Sequence, residues 1–213
     1  ARGGAAGIIA AVEQVSGVDI DHFARVNFAD FEKMVEAVHG ITVDVPVTVG
    51  YEDPFTGEYI EVQEGLQDVN GAEALILARA RHEYGDNQES FRQGMVRNVL
   101  VAIFDKLRNL PVVELPGALM EVASCVSTDF EVGDIVSLGV ELRDESTAVY
   151  SASAPYEGDF IEALDGMWLC YIDQEGWDKV VAVIDSGGDP STVSYAGDVA
   201  LVPGTDETVI IEG

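Results

Sequence analysis

"NFADFEKMVEAVHGITVDVPVTV", residues 27–49, changes its hydrophobic period halfway along. In its first half Phe31, Met34, Val35 and Val38 fall three and four apart, the spacing that places side chains on one helix face. Asn27 or Asp30 can cap the start, and Gly40 is a stop. In the second half Ile41, Val43, Val45, Val47 and Val49 alternate with Thr42, Asp44, Pro46 and Thr48, the period of a half-buried strand. Pro46 has no N–H for a ladder and belongs at a sheet edge or a strand end. A helix feeding directly into a strand is a building block of layered α/β folds.

The alternation continues on both sides. Residues 5–16 read as a helix with Ile8, Ile9, Val12 and Val15 on one stripe, closed by Gly17, and residues 22–27 as a short strand. Gly50 to Gly57 supplies turn residues, and "EYIEVQ" (58–63) returns as a strand. "NGAEALILARA" (70–80) opens with Asn70 and has Glu73 three residues on, a capping-box start for a helix from Gly71 to about Ala78. Further helices are predicted over about 90–108, in "LPGALMEVASCV" (115–126), in "DIVSLGVELR" (134–143) and in "GWDKVVAVIDSGG" (176–188). "TAVYSASA" (147–154) and "MWLCYID" (167–173) read as strands. "SGGDPS" (186–191) follows a helix rather than opening one, so it reads as a helix stop and turn, not a phosphate loop. The expectation is one α/β domain over residues 1–213, a mixed sheet between helices in three layers.

The 213 residues are 47% hydrophobic, which is incompatible with a disordered acidic chain despite a formal charge of −28. That charge also argues against nucleic-acid binding, which needs a basic face. No apolar run reaches the ~18 residues of a membrane span. The chain opens on Ala1-Arg2-Gly3-Gly4, and the expectation is a fragment whose anchor would lie upstream. Cys125 and Cys170 have no metal-ligand spacing. They are either two buried thiols or a disulfide worth ~4 kcal/mol in the chain-entropy account, and a disulfide would imply an oxidising compartment.

Against this acidic background, Arg79, Arg81, Arg92, Arg97, Lys106 and Arg108 fall within one short stretch. Arg79 and Arg81 would face opposite ways on a continuing helix, so the helix is expected to give way near Arg79. Arg92 lies in register with an apolar stripe at Val96, Val99, Leu100, Ile103 and Leu107, and in the first turn of its helix, where backbone N–H groups already favour an anion. One reading pairs these arginines with Glu73, Glu83, Asp86 or Glu89. The other is a cradle for phosphate or pyrophosphate, which guanidiniums suit. His82 beside them is a structural residue or a base.

Four stretches, in order, resemble the LytR-CpsA-Psr family of bacterial cell-wall enzymes: "GVDIDHFARVNFADFEKMVEAVHGITVDVP" (17–46), "EGLQDVNGAEALILARAR" (64–81), "GDNQESFRQGMVRNVL" (85–100) and, more weakly, "GWDKVVAVIDSGGDP" (176–190). The resemblance implies a mixed sheet between helices. It also implies transfer of a glycopolymer from a polyprenyl-pyrophosphate carrier to peptidoglycan with magnesium, on the outer face of the membrane of a Gram-positive-type bacterium. By motif position Arg79, Arg81, Arg92 and Gln93 would bind the pyrophosphate, while Val96, Val99, Leu100 and Ile103 are candidates to line a pocket for the prenyl tail. There are two departures. The family usually carries another arginine three residues before its Arg-Gln pair, where this chain has Glu89. Its upstream strands, with the usual magnesium aspartates, have no counterpart in these residues, so neither a metal ligand nor a general base is assigned. Two rival readings are a binding module of the same fold without turnover, and an acidic extracellular interaction domain.

Overall fold

The computed structural model describes residues 4–53, 55–81, 88–144, 147, 150, 155–161, 167–193, 199–201 and 208–210, without the side chains of 88–91, 157–161, 167, 168, 170, 199–201 and 208–210. In chain order the elements are α1 (Gly4–Ser16), β1 (Ala24–Arg25), α2 (Phe28–Ala37), β2 (Ile41–Val45), β3 (Val49–Glu52), β4 (Tyr59–Val62), β5 (Gly65–Val69), α3 (Gly71–Arg79) and α4 (Gln88–Asn109). After these come α5 (Leu115–Ser124), β6 (Ser127–Thr128), α6 (Val132–Glu141), β7 (Tyr156–Ile161), β8 (Met167–Ile172), α7 (Gln174–Asp185), β9 (Val199–Leu201) and β10 (Thr208–Ile210). The chain is α/β, as the alternation of periods indicates. Every described strand pairing is an antiparallel two-stranded ladder: β1 with β6, β2 with β5, β3 with β4, β7 with β8 and β9 with β10. The residues group into two compact units, one of Asp21–Val149 with Pro203–Asp206, the other of Ala1–Ile20, Tyr150–Val202 and Glu207–Gly213.

The first unit is built on the quoted stretch. Asn27 is the cap of α2, its side chain accepting from the Asp30 N–H at 2.9 Å. Phe31, Met34, Val35 and Val38 are all buried. The helix closes before Gly40: His39 N–H reaches Glu36 O at 2.9 Å and Gly40 N–H reaches Val35 O at 3.0 Å, the double bond of a Schellman end. His39 as well as Gly40 takes a left-handed backbone, φ 62° and 80°. In β2 Ile41, Val43 and Val45 point inward while Thr42 and Asp44 are exposed. Pro46 ends that strand, so the expected single strand over 41–49 is two strands, with β3 beginning at Val49. The partner of β2 is β5, "GLQDV", which carries no strand signature of its own. Thr42 Oγ1 donates across that ladder to Asp68 Oδ1 at 2.6 Å. The turn expected over 50–57 is shorter, because Gly50 to Glu52 belong to β3.

Helices cover these ladders: α4 packs on β2 and α3, α3 on β3 and β4, and α2 on α3 and α5. The inward residues of α4 are Met95, Val99, Ile103 and Leu107, at most 3% exposed, with Val96 and Leu100 half-buried. Two arginines fasten the far end. Arg108 donates to the carbonyls of Leu142 (2.6 Å), Asp144 (3.2 Å) and Thr147, and Arg143 donates to Leu110 O at 2.6 Å. Orphan carbonyls past the end of α6 are thereby satisfied. Cys125 is a buried free thiol whose Sγ lies 3.3 Å from Glu121 O; the side chain of Cys170 lies outside the described residues.

In the second unit Trp177 Nε1 donates to Ser16 O at 2.8 Å and joins α7 to α1. Asp173 caps α7 through Gly176 N–H at 3.0 Å, and Gly187, at φ 73°, turns the chain away from its end. The "SGGDPS" turn closes as a short 3-10 turn at Pro190–Thr192, capped by Asp189. α1 forms where expected, but its stripe is not buried: Ile8 is 55% exposed, Val12 44% and Val15 40%. The expected strand over 147–154 lies almost wholly outside the described residues.

Candidate functional site

The site grows from the two ends of α3. At its start Asn70 accepts from Glu73 N–H at 3.0 Å while Glu73 accepts from Asn70 N–H at 2.8 Å, the reciprocal capping box. Gly71 donates to Glu36 Oε1 at 2.8 Å, which ties α3 to α2. At its other end Ala80 makes the last helical bond, to Ile76 O at 2.9 Å, and then opens to φ −54°, ψ 141°. The helix gives way at Arg79, and Arg81 leaves it in extended chain.

Arg79 is half-buried, and its guanidinium carbon lies 5.0 Å from the centre of the Phe28 ring, within cation–π distance. It makes no hydrogen bond and no ion pair among the described residues. An arginine bound to an internal carboxylate would have its N–H groups occupied. Arg79 has no such partner among the described residues, and its guanidinium carbon lies over an aromatic ring. Arg81 is exposed, and Arg92 and Gln93 are half-buried in the early turns of α4, with Arg92 in register with the inward Met95 and Val99. Each of these three interacts with a neighbouring group. Since α3 packs against α4, Arg79 and Arg92 stand on adjoining helices on either side of one short connection. His82, Glu83 and Asp86 lie outside the described residues, as does the side chain of Glu89.

Two acidic groups beside α3 are in different states. Asp53 is only 4% exposed, and its Oδ1 accepts from Thr56 N–H at 2.6 Å and Phe55 N–H at 2.8 Å. These bonds, Thr56 first, hold its carboxyl below the usual range, and the positive charge of Arg79 adds to them. Glu32, one turn after Phe28 on α2, is pushed the other way by burial first, then by the charges of Asp53 and Glu36. Its Oε1 is buried without a hydrogen-bond partner. Phe28 and Asp53 were not marked by the sequence. Phe28 precedes the α2 stripe by one turn, and a lone aspartate in a turn reads as a turn residue.

Two further features lie along α3 and α4. Val99 and Ile103, at 0% and 2% exposure, are closed into the core with Val35, Ile41 and Leu75, and Val96 packs against it. Val99 and Ile103 thus belong to the core where α4 meets α3 and β2, and Leu100 is half-buried beside them on the same helix. A groove of about 340 Å³ opens at the opposite end of α3, lined by Glu36, His39, Asp68, Asn70, Glu73 and Lys106 among others. It lies about 12 Å from the Arg79 end by helical rise. Three carboxylates against one lysine make it the wrong sign for a diphosphate. No set of three or more His, Cys, Asp or Glu side chains among the described residues is placed to hold a metal ion.

Comparison with known proteins gives the family and the fold. The model of the LytR_cpsA_psr family matches residues 1–183. The polyisoprenyl-teichoic acid–peptidoglycan teichoic acid transferase TagV of Bacillus subtilis is 27% identical over 145 residues, 67% of this chain and 36% of that one. The cell wall biosynthesis protein LcpA of Corynebacterium glutamicum is 32% identical over 104 residues, 46% of this chain and 19% of that one. The crystal structure of B. subtilis TagV superposes with a TM-score of 0.69 at 20% identity, covering 91% of this chain and 73% of the other, which establishes a shared fold. The chain spans about a third of the length of the curated TagV.

Proposed function

The chain belongs to the LytR-CpsA-Psr family, and on that premise we propose that it acts in cell-wall assembly, moving a glycopolymer from a polyprenyl-pyrophosphate carrier to peptidoglycan. The observation that carries this reading is Arg79, a guanidinium whose N–H groups have no partner among the described residues, at the break of α3, in a protein whose formal charge is −28. Isolated positive charge of that kind is what a diphosphate needs. Arg79 and Arg81 bind the two phosphates, and Arg92 and Gln93 approach from the first turns of α4, where the helix dipole also favours an anion.

In the reaction an acceptor hydroxyl oxygen attacks the phosphorus that bears the glycopolymer. The P–O bond to the bridging oxygen breaks, and polyprenyl monophosphate leaves with the bonding pair. The hydroxyl proton passes to water. The arginines neutralise charge as it shifts onto the bridging oxygen, the electrostatic contribution on which phosphoryl transfer depends most. Magnesium, expected from the resemblance, finds no ligand set among the described residues. The place of action under this reading is the outer face of the cell membrane. No described helix is long and apolar enough to cross a membrane.

The test supplies this chain with a short-chain prenyl-pyrophosphoryl saccharide and peptidoglycan oligomers, and measures prenyl monophosphate by mass spectrometry. Release by the wild type and its loss in Arg79→Ala supports transfer. Binding of the donor without release supports the rival reading of a non-catalytic binding module. No binding ends both.

A further inference from the structure

Phe28 is the first residue of α2 and is 55% exposed, outside the hydrophobic core cluster. Its position is firmly set. Asn27 caps the turn through Asp30 N–H, and Asn27 Nδ2 also donates to Asp30 Oδ2 at 2.6 Å. The Arg79 guanidinium lies over the ring, and no carboxylate among the described residues takes its N–H groups. Nearby Asp53 contributes charge at longer range, since the two form no ion pair and Asp53 Oδ1 is taken up by the Phe55 and Thr56 N–H groups.

From this we infer that Phe28 is a positioning residue for Arg79, fixing the guanidinium plane by its face and leaving its N–H edge for the phosphate oxygens of the substrate. The inference rests on the anion-binding reading of Arg79. A free arginine side chain loses rotamer entropy each time it binds an anion. A ring that fixes the plane beforehand removes part of that loss and, unlike a carboxylate, occupies no donor and adds no repulsion towards phosphate. α2 thereby gains a role in a site whose other members are on α3, on α4 and in the link between them.

Titration calorimetry with inorganic pyrophosphate at low ionic strength, where screening is least, tests this on the present chain. The proteins are wild type, Phe28→Leu, Phe28→Trp, Arg79→Ala and the double variant Phe28→Leu/Arg79→Ala. Phe28→Leu is expected to weaken binding about two- to fivefold, the equivalent of one exposed cation–π contact. Phe28→Trp should bind at least as well as wild type. Phe28→Leu should have no further effect when Arg79 is absent, and melting temperatures should stay together because the ring is outside the core. Loss of binding in Arg79→Ala with full binding in Phe28→Leu would overturn the positioning role alone. So would equal weakening by Phe28→Leu with and without Arg79, or failure of Trp to substitute. Wild-type affinity in Arg79→Ala would overturn the anion-binding reading and this inference with it.

Discussion

Gly71, the first residue of α3, lies so close to the backbone of Glu32 on α2 that a Cβ there would collide with it. The contact is with main chain, which cannot rotate aside as a side chain can. Gly to Ala inside a helix ordinarily stabilises by about 0.5–1 kcal/mol, whereas overpacking costs about 1–3 kcal/mol. The collision should win. Gly71→Ala is expected to lower stability in urea denaturation by about 1–2 kcal/mol, and an unchanged or higher midpoint would show that α2 and α3 can separate freely.

The core role of α4 is measurable. Ile103 is 2% exposed in the cluster with Val99 and Leu107. If it is core, Ile103→Ala should cost about 2–5 kcal/mol in lipid-free protein. A loss well under that range, with a loss of prenyl-pyrophosphate binding instead, would identify Ile103 as part of the wall of a lipid pocket.

Arg79 should separate binding from folding. Among the described residues it meets the Phe28 ring and feels the more distant charge of Asp53. An exposed cation–π contact is worth about 0.5–1 kcal/mol, so Arg79→Ala should cost no more than that in thermal unfolding. A charge-assisted bond to a phosphate is worth about 1.5–3 kcal/mol, so affinity for a prenyl pyrophosphate should fall at least about tenfold. A variant that melts much earlier and binds normally would identify Arg79 as a structural residue.

Much of the fold can be read from local pattern because its causes are local. The caps of α2 and α3, the alternation of β2 and the break at Arg79 each depend on residues within one turn of one another. What could not be read depends on distant partners. β5 is a strand because β2 lies beside it, since Gly65, Gln67 and Asp68 have little strand preference of their own. The apolar spacing of α1 specifies a helix and cannot say that the stripe faces outward. At the site the arginines were visible as a concentration of charge. Phe28 and Asp53 were not, because the Phe28 ring meets Arg79 only after α2 packs on α3, and the charge of Asp53 comes near Arg79 only after α3 packs on β3 and β4.

Glu32 carries a proton-linked cost that pH can expose. Burial, then the charges of Asp53 and Glu36, raise its carboxyl above the ordinary value of 4.5. The folded chain therefore holds this proton more tightly than the unfolded chain and binds more protons between the two pKa values. Stability from this group is fully present below 4.5 and declines as pH rises through the folded value. Above that window the chain keeps a charged carboxylate whose Oε1 is buried without a hydrogen-bond partner. Glu32→Gln keeps the shape and removes both the charge and the titration. The variant should melt above wild type at pH 7, and the difference should shrink steadily as pH is lowered towards about 4. Asp53 shifts the opposite way and is present in both proteins, so the comparison isolates Glu32. Scanning calorimetry from pH 4 to 7 decides the matter. A constant difference would mean that Glu32 titrates alike in the folded and unfolded chains, and a wild type more stable at pH 7 would mean that its charge has a partner after all.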